Sequence, residues 1–220
     1  MVSYKLERKM FSSGYHLIVG LDEAGRGTLA GPVVAACVGC SAKFDFADPK
    51  FKNLRDSKKI VSKKREELYN NIINDNFLQV TVGVCDHSII DKINILRATL
   101  LAMRRAVVRL SQKPDCLLID GKNIIPNFNI KQRAIIKGDN KVFLIAAASV
   151  VAKVTRDRMM KKLHRQYPEY NFSQHKGYGT KEHIDLIQRH GPCLIHRRTF
   201  SPVRNFVNRT STCEKALNKL

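Results

Sequence analysis

The sequence predicts an α/β fold, a mixed β-sheet flanked by helices, with a helical C-terminal lobe. Three observations carry this. Two apolar runs, 16–22 and 32–40, are joined by a glycine-bearing turn, as in neighbouring strands. Helical and strand periodicities alternate through residues 62–137. Beyond residue 143 only helical patterns occur. Strands, then alternation, then helices is the order of an α/β domain with a mixed sheet.

Each element has its own signal. In 16–22, Leu17, Val19 and Leu21 share one face, and the turn Gly25-Arg26-Gly27 follows. Residues 44–56 read as a charged connection. Ser62 is expected to cap a helix to about residue 74, with Leu68, Ile72 and Ile73 inward. Leu78, Val80, Val82 and Val84 alternate with Gln79, Thr81 and Gly83, which is strand periodicity. One long helix is expected next, because Ile89, Ile93, Leu96, Leu100, Met103, Val107 and Leu110 recur at three and four residues. Pro114 stops it. Residues 116–119 read as a buried strand ending at Asp120 and Gly121, and 133–137 as another short strand. A helix over 143–167 opens with small residues. Thr180 caps a last helix that Gly191 and Pro192 end. The expected organisation is an N-terminal extension (1–14), a core (15–167), a helical and loop lobe (168–206) and a tail (207–220).

Lys and Arg number 39 against 19 Asp and Glu, a net charge of +20 over 220 residues. Such an excess repels itself and fits a polyanionic partner. No run approaches the roughly 18 apolar residues of a membrane span, and the N-terminus has no apolar signal core. A cytoplasmic monomer with no membrane association is the expectation. Six cysteines make no disulfide framework. Cys37 and Cys40 lie three apart in an expected strand, facing opposite sides, so they do not form a metal pair.

In so basic a chain the placement of acidic residues is informative. Asp22 and Glu23 end one apolar strand, Asp120 ends another, and Asp139 follows a third apolar segment. A carboxylate at a buried strand end is partly desolvated, which is costly unless it meets a cation. Convergence of such ends would give an oxygen-ligand cluster suited to Mg²⁺ or Mn²⁺. Each Asp taken singly also fits a turn cap. Asp22 and Glu23 would serve one site only if strand regularity failed at Glu23.

The ordered motifs resemble bacterial ribonuclease HII. The first is Gly20-Leu21-Asp22-Glu23-Ala24-Gly25-Arg26-Gly27, continuing through Leu29-Ala30-Gly31-Pro32. Asp56-Ser57-Lys58-Lys59, Ile119-Asp120-Gly121 and Lys137-Gly138-Asp139 follow. Then come Ala147-Ala148-Ser149 with 152–157, His175-Lys176-Gly177-Tyr178-Gly179-Thr180, and 196–200. The resemblance spans about residues 15–206. It implies a ribonuclease H-like sheet with a helical C-terminal lobe. It also implies an endonuclease that cuts the RNA strand of RNA–DNA hybrids and cuts 5′ of single ribonucleotides in duplex DNA, with two divalent ions, Mn²⁺ or Mg²⁺. Its products would carry 3′-hydroxyl and 5′-phosphate ends.

The same resemblance implies that Asp22, Glu23, Asp120 and Asp139 are the catalytic and metal-holding carboxylates. Asp157 rivals Asp139 for the fourth place; the strand before Asp139 favours the latter. Peptide groups of Gly25, Arg26 and Gly27 would meet the 2′-hydroxyl, the chemical mark of RNA. Tyr178, between glycines, would be exposed and pack on the sugar. Lys58, Lys59 and Lys176, with Arg197 and Arg198, are candidates for phosphate contacts. So are Ser149 and Lys153, one helical turn apart. His175 reads as a loop histidine. A solvated basic surface explains each lysine singly as well.

Overall fold

The computed structural model describes residues 2–52, 54 and 61–206. Lys58, Lys59 and the tail 207–220 lie outside the described residues. The chain divides into two compact units. Among the described residues, the first holds those of 2–24, 34–84 and 99–155, and the second those of 25–33, 85–98 and 156–206.

A five-stranded mixed sheet organises the first unit. Its strands are β1 (Ile18–Ala24), β2 (Val33–Cys40), β3 (Leu78–Cys85), β4 (Cys116–Asp120) and β5 (Lys131–Ile135), in the order β3-β2-β1-β4-β5. β1 runs antiparallel to β2 and parallel to β4, which is parallel to β5. Every residue of β2 is buried, as its near-continuous apolar run requires.

The helices of this unit begin with α1 (Lys5–Ser12) and α2 (Ser62–Ile73). Val61, not Ser62, is the α2 N-cap, and no side chain caps that end. A second difference concerns the long helix, whose start through residue 98 belongs to the second unit. It is two helices, α3 (His87–Ile93) and α4 (Ile95–Val107), because Asn94 takes φ 66° and ψ 165°. Its Oδ1 accepts from Arg97 N at 3.1 Å, restarting the helix, while Asp86 caps α3 by accepting from Ile89 N at 3.0 Å. The apolar spacing continues across this break, so periodicity alone merges the two.

α5 (Phe143–Gln166) is pressed onto β1 at Gly20. A Cβ there would lie 2.2 Å from the Leu144 carbonyl carbon, so only glycine fits. At the α5 N-terminus the fully buried Glu7 accepts from Leu144 N at 3.1 Å. Its other oxygen has no partner, and burial pushes this carboxyl up to about 7. Residues 44–51 supply Phe44, Phe46 and Phe51 to an aromatic cluster with Phe143; the rings of Phe44 and Phe46 meet edge-on at 4.9 Å.

The second unit packs around Leu29, Ala30, Met160, Tyr170, Phe172, Ile187 and Val203. It contains the short α6 (Phe172–His175) and α7 (Lys181–His190), which Thr180 caps by accepting from His183 N at 3.2 Å. No helix among the described residues is long and apolar enough to cross a membrane.

Candidate active site

The site begins with adjacent strands. β1 and β4 run parallel, Leu21 facing Ile119, so their carboxyl ends carry Asp22 and Asp120 to the same edge. β1 keeps its pairing through Glu23 and Ala24, opposite Ala35 and Val34. The regularity does not fail at Glu23, contrary to the condition expected from sequence; on a continuous strand the half-buried Glu23 still acts on the buried Asp22 through its charge, so no break in the strand is needed for the two to interact.

At that edge, three of the carboxylates act on one another through their charges. Burial, then the negative charges of Glu23 and Asp120, hold the Asp22 carboxyl well above the usual range. Hydrogen bonds from Ser149 and from Glu23 N, the latter 2.7 Å to Oδ1, oppose this without reversing it. Ser149 stands on α5, placed by the helix–strand contact at Gly20. Lys153 lies four residues further along α5 and is half-buried.

The fourth carboxylate follows a tight turn. Lys137 adopts a left-handed conformation, φ 55°, and starts a 3-10 turn over Gly138–Asn140. Gly138 N donates to Asp120 Oδ1 at 2.6 Å. Asp139, the next residue, is 6% exposed and accepts from Asn140 Nδ2 at 3.1 Å. Asp157 is half-buried, much further along α5.

Among the described residues, no three His, Cys, Asp or Glu side chains already stand as a metal cage. The donor set nevertheless suits a hard cation. It is all carboxylate oxygen, and a buried Asp22 raised by like charges is relieved by positive charge.

The second unit holds the other candidates. Thr28 bridges to Tyr178, and Leu29 N donates to the Gly177 carbonyl at 2.8 Å, so the turn after β1 is stitched to 177–178. Tyr178 is 42% exposed. Arg26 and Gly27 are exposed, whereas Gly25 is buried. Gly25 makes room for a side chain: with φ 93°, its Cβ would lie 2.0 Å from Arg156 Nε. Nothing lies within 4 Å of a Cβ at Gly27, so glycine there leaves open surface.

Three readings from sequence need correction. Arg197 is fully buried; its guanidinium donates to the carbonyls of Gly25, Arg26 and Gly31 and is no surface phosphate contact. Burial, then the charge of Arg156, brings its pKa down to about 9. Arg198 stays exposed, while its backbone N donates to Asp91 at 2.9 Å. The half-buried Lys176 turns its ammonium to the carbonyls of Ser173 and Gln174.

His175, the third, is buried and part of a histidine cluster that sequence reasoning missed. Cys193 N donates to His196 Nδ1 at 2.9 Å, so a neutral His196 carries its proton on Nε2. That proton goes to His183 Nε2 at 3.1 Å, and His183 Nδ1 then donates to the Tyr178 carbonyl at 2.8 Å. His175 stacks on His183 with centroids 4.2 Å apart and bonds the Tyr170 carbonyl. Burial brings His183 down to about 4 and His196 to about 3. The histidines lie 8 and 13 residues apart, a spacing that no local motif marks.

The family model described as Ribonuclease HII matches residues 19–203. A ribonuclease HII from Caldicellulosiruptor bescii is 49% identical over 90% of this chain and 92% of its own length. That of Syntrophus aciditrophicus is 51% identical over 88% of each chain. The crystal structure of ribonuclease H2 from Pyrococcus horikoshii superposes with a TM-score of 0.72 at 26% identity, covering 88% of this chain and 98% of that one. An Archaeoglobus fulgidus RNase HII, solved in complex with PCNA, gives 0.71 at 25% identity, over 84% and 95%.

Proposed function

Because the chain belongs to the ribonuclease HII family, we propose that it is a metal-dependent endonuclease. It hydrolyses the RNA strand of RNA–DNA hybrids and cuts 5′ of single ribonucleotides in duplex DNA. The observation that carries this reading is the buried Asp22 crowded by Glu23 and Asp120, an acidic cluster in a chain of net charge +20.

Asp22, Glu23, Asp120 and Asp139 hold two divalent ions, Mn²⁺ or Mg²⁺. When bound, these supply Lewis acidity to the attacking water and to the departing 3′ oxygen. The rest is the work of the chain. Ser149 orients Asp22, and Gly138 N orients Asp120. Asp139 rather than Asp157 is the fourth ligand, because it adjoins the residue that bonds Asp120. Gly25, Arg26 and Gly27 meet the ribose 2′-hydroxyl, and the exposed Tyr178 packs on the sugar. Lys58, Lys59 and Lys153 contribute positive charge along the duplex, so affinity falls as salt rises. The protein acts as a monomer, and the products carry 3′-hydroxyl and 5′-phosphate ends.

The test uses three duplexes: an RNA–DNA hybrid, a DNA duplex with one ribonucleotide, and the same duplex all in DNA. Each is offered with Mg²⁺, Mn²⁺ or chelator. Metal-dependent cutting of the first two, 5′ of the single ribonucleotide in the second, is the expected result. Binding without cutting would make the chain a nucleic-acid-binding protein, and equal cutting of all-DNA duplex would remove the ribose selectivity.

A further inference from the structure

Two of the largest fully buried side chains in the molecule are arginines, Arg156 and Arg197, both in the second unit. Burying a guanidinium is expensive unless every N–H finds an acceptor. Here all but one of the acceptors come from one short segment. Arg156 Nε donates to the Pro32 carbonyl at 2.9 Å, and its Nη2 to the Thr28 hydroxyl at 2.9 Å and the Ala30 carbonyl at 3.1 Å. Arg197 Nη2 donates to the Gly25 carbonyl at 2.6 Å, its Nη1 to the Arg26 carbonyl at 2.9 Å, and its Nε to the Gly31 carbonyl at 3.1 Å. The two forks thus draw the carbonyls of residues 25, 26, 30, 31 and 32 to the interior.

This fixes what the segment shows on its other side. In a trans peptide the N–H points opposite to the C=O. With the Gly25 and Arg26 carbonyls held on Arg197, the amides of Arg26 and Gly27 point away from that guanidinium. Both residues are exposed, and Gly27 adds no side chain in front of them. Two successive N–H groups on the side away from Arg197 make a donor pair of the kind that meets an oxygen atom. Arg156 also ties in the neighbouring segment: its Nη1 donates to the Lys176 carbonyl at 2.9 Å, and its guanidinium carbon lies 6.0 Å from the Tyr178 ring centroid.

We infer that Arg156 and Arg197 are positioning residues for ribose selectivity. They hold the Arg26 and Gly27 amides, and through Lys176 the Tyr178 segment, in the arrangement that receives a 2′-hydroxyl. This rests on the ribonucleotide reading above. Planar forks are required, since a lysine keeps the charge but reaches these carbonyls from a single point.

The experiment compares wild type with Arg197→Lys, Arg156→Lys and a control, Val203→Ala, which loosens the same core without touching the loop. Thermal stability, single-turnover cleavage of the one-ribonucleotide duplex and affinity for all-DNA duplex are measured at two temperatures. The arginine variants should bind all-DNA duplex as wild type does, yet cut the ribonucleotide duplex at least about tenfold more slowly, with no recovery on cooling. In metal-free binding, their preference for the ribonucleotide duplex over all-DNA should fall toward unity. The control should regain wild-type cleavage when cooled. Lysine variants that cut at the wild-type rate, or that recover on cooling as the control does, overturn the inference while leaving the ribonuclease reading intact. A wild type that ignores the ribonucleotide overturns both.

Discussion

The two units solve the problem of buried charge in opposite ways. In the first, Asp22 is buried beside Glu23 and Asp120, and like charges raise it further. In the second, Arg156 and Arg197 are fully buried, but backbone carbonyls of their own unit surround them. For Asp22, the hydrogen bonds from Ser149 and Glu23 N oppose that rise without reversing it. The arginines are satisfied internally and rigidify a loop. Under the proposed function, the repelled acids are where a cation would gain most, whereas the satisfied arginines shape the loop beside them in sequence.

The largest expected effect breaks the acidic side of that contrast. Asp22→Asn or Asp120→Asn should lower cleavage by about 10²–10³-fold or more, as loss of a group acting directly on transition-state charge does. Asp22→Asn should at the same time raise the melting temperature of the metal-free protein. Removing one repelled charge is worth about 2–4 °C per kcal/mol in a chain of this size. An unchanged or lowered metal-free melting temperature would argue against the strained cluster.

Next comes packing. Gly20→Ala drives a methyl into the Leu144 backbone and should cost about 1–3 kcal/mol or more, read as a lower urea midpoint. Gly27→Ala meets nothing, so stability should stay within about 0.5 kcal/mol while ribonucleotide cleavage falls. If Gly27→Ala cuts normally, the open surface at that turn has no role in substrate binding.

The pH response separates the units by sign. The folded-state values of His183 and His196, about 4 and about 3, lie below the ordinary 6.5. Unfolding therefore takes up protons in that window. The stability they give is complete above about 6.5 and is lost as pH falls toward 4. Glu7, raised from 4.5 to about 7, works the other way: its contribution is complete below 4.5 and lost as pH rises through 7. Between pH 5 and 6.5 the two act in opposite directions, so Glu7→Gln should steepen the rise of the urea midpoint across that interval by removing the opposing contribution. An unchanged rise in Glu7→Gln would refute the role given to that carboxyl.

The strands and the acidic ends were legible in the sequence because their signals are local. Alternation and apolar runs located β1 to β4, and scarcity made Asp22, Glu23, Asp120 and Asp139 stand out against the basic background. What escaped depends on partners far along the chain. Arg197 meets the carbonyls of Gly25 and Arg26 across 172 and 171 residues, so nothing around 196–200 tells a buried fork from a surface phosphate contact. Glu7 reads as one more charge in a polar N-terminus until Leu144, 137 residues away, is seen to donate to it. Asn94 breaks a helix while preserving its apolar period, and only backbone geometry reveals that.

Calorimetric titration of Mn²⁺ into the wild type and the Asp22→Asn and Asp120→Asn variants, without nucleic acid, bears most directly on the acidic cluster as the cation site. Saturable binding in the wild type, lost or weakened at least about tenfold in both variants, is the expected result. Wild-type binding retained in both variants would contradict it and would place the metal elsewhere.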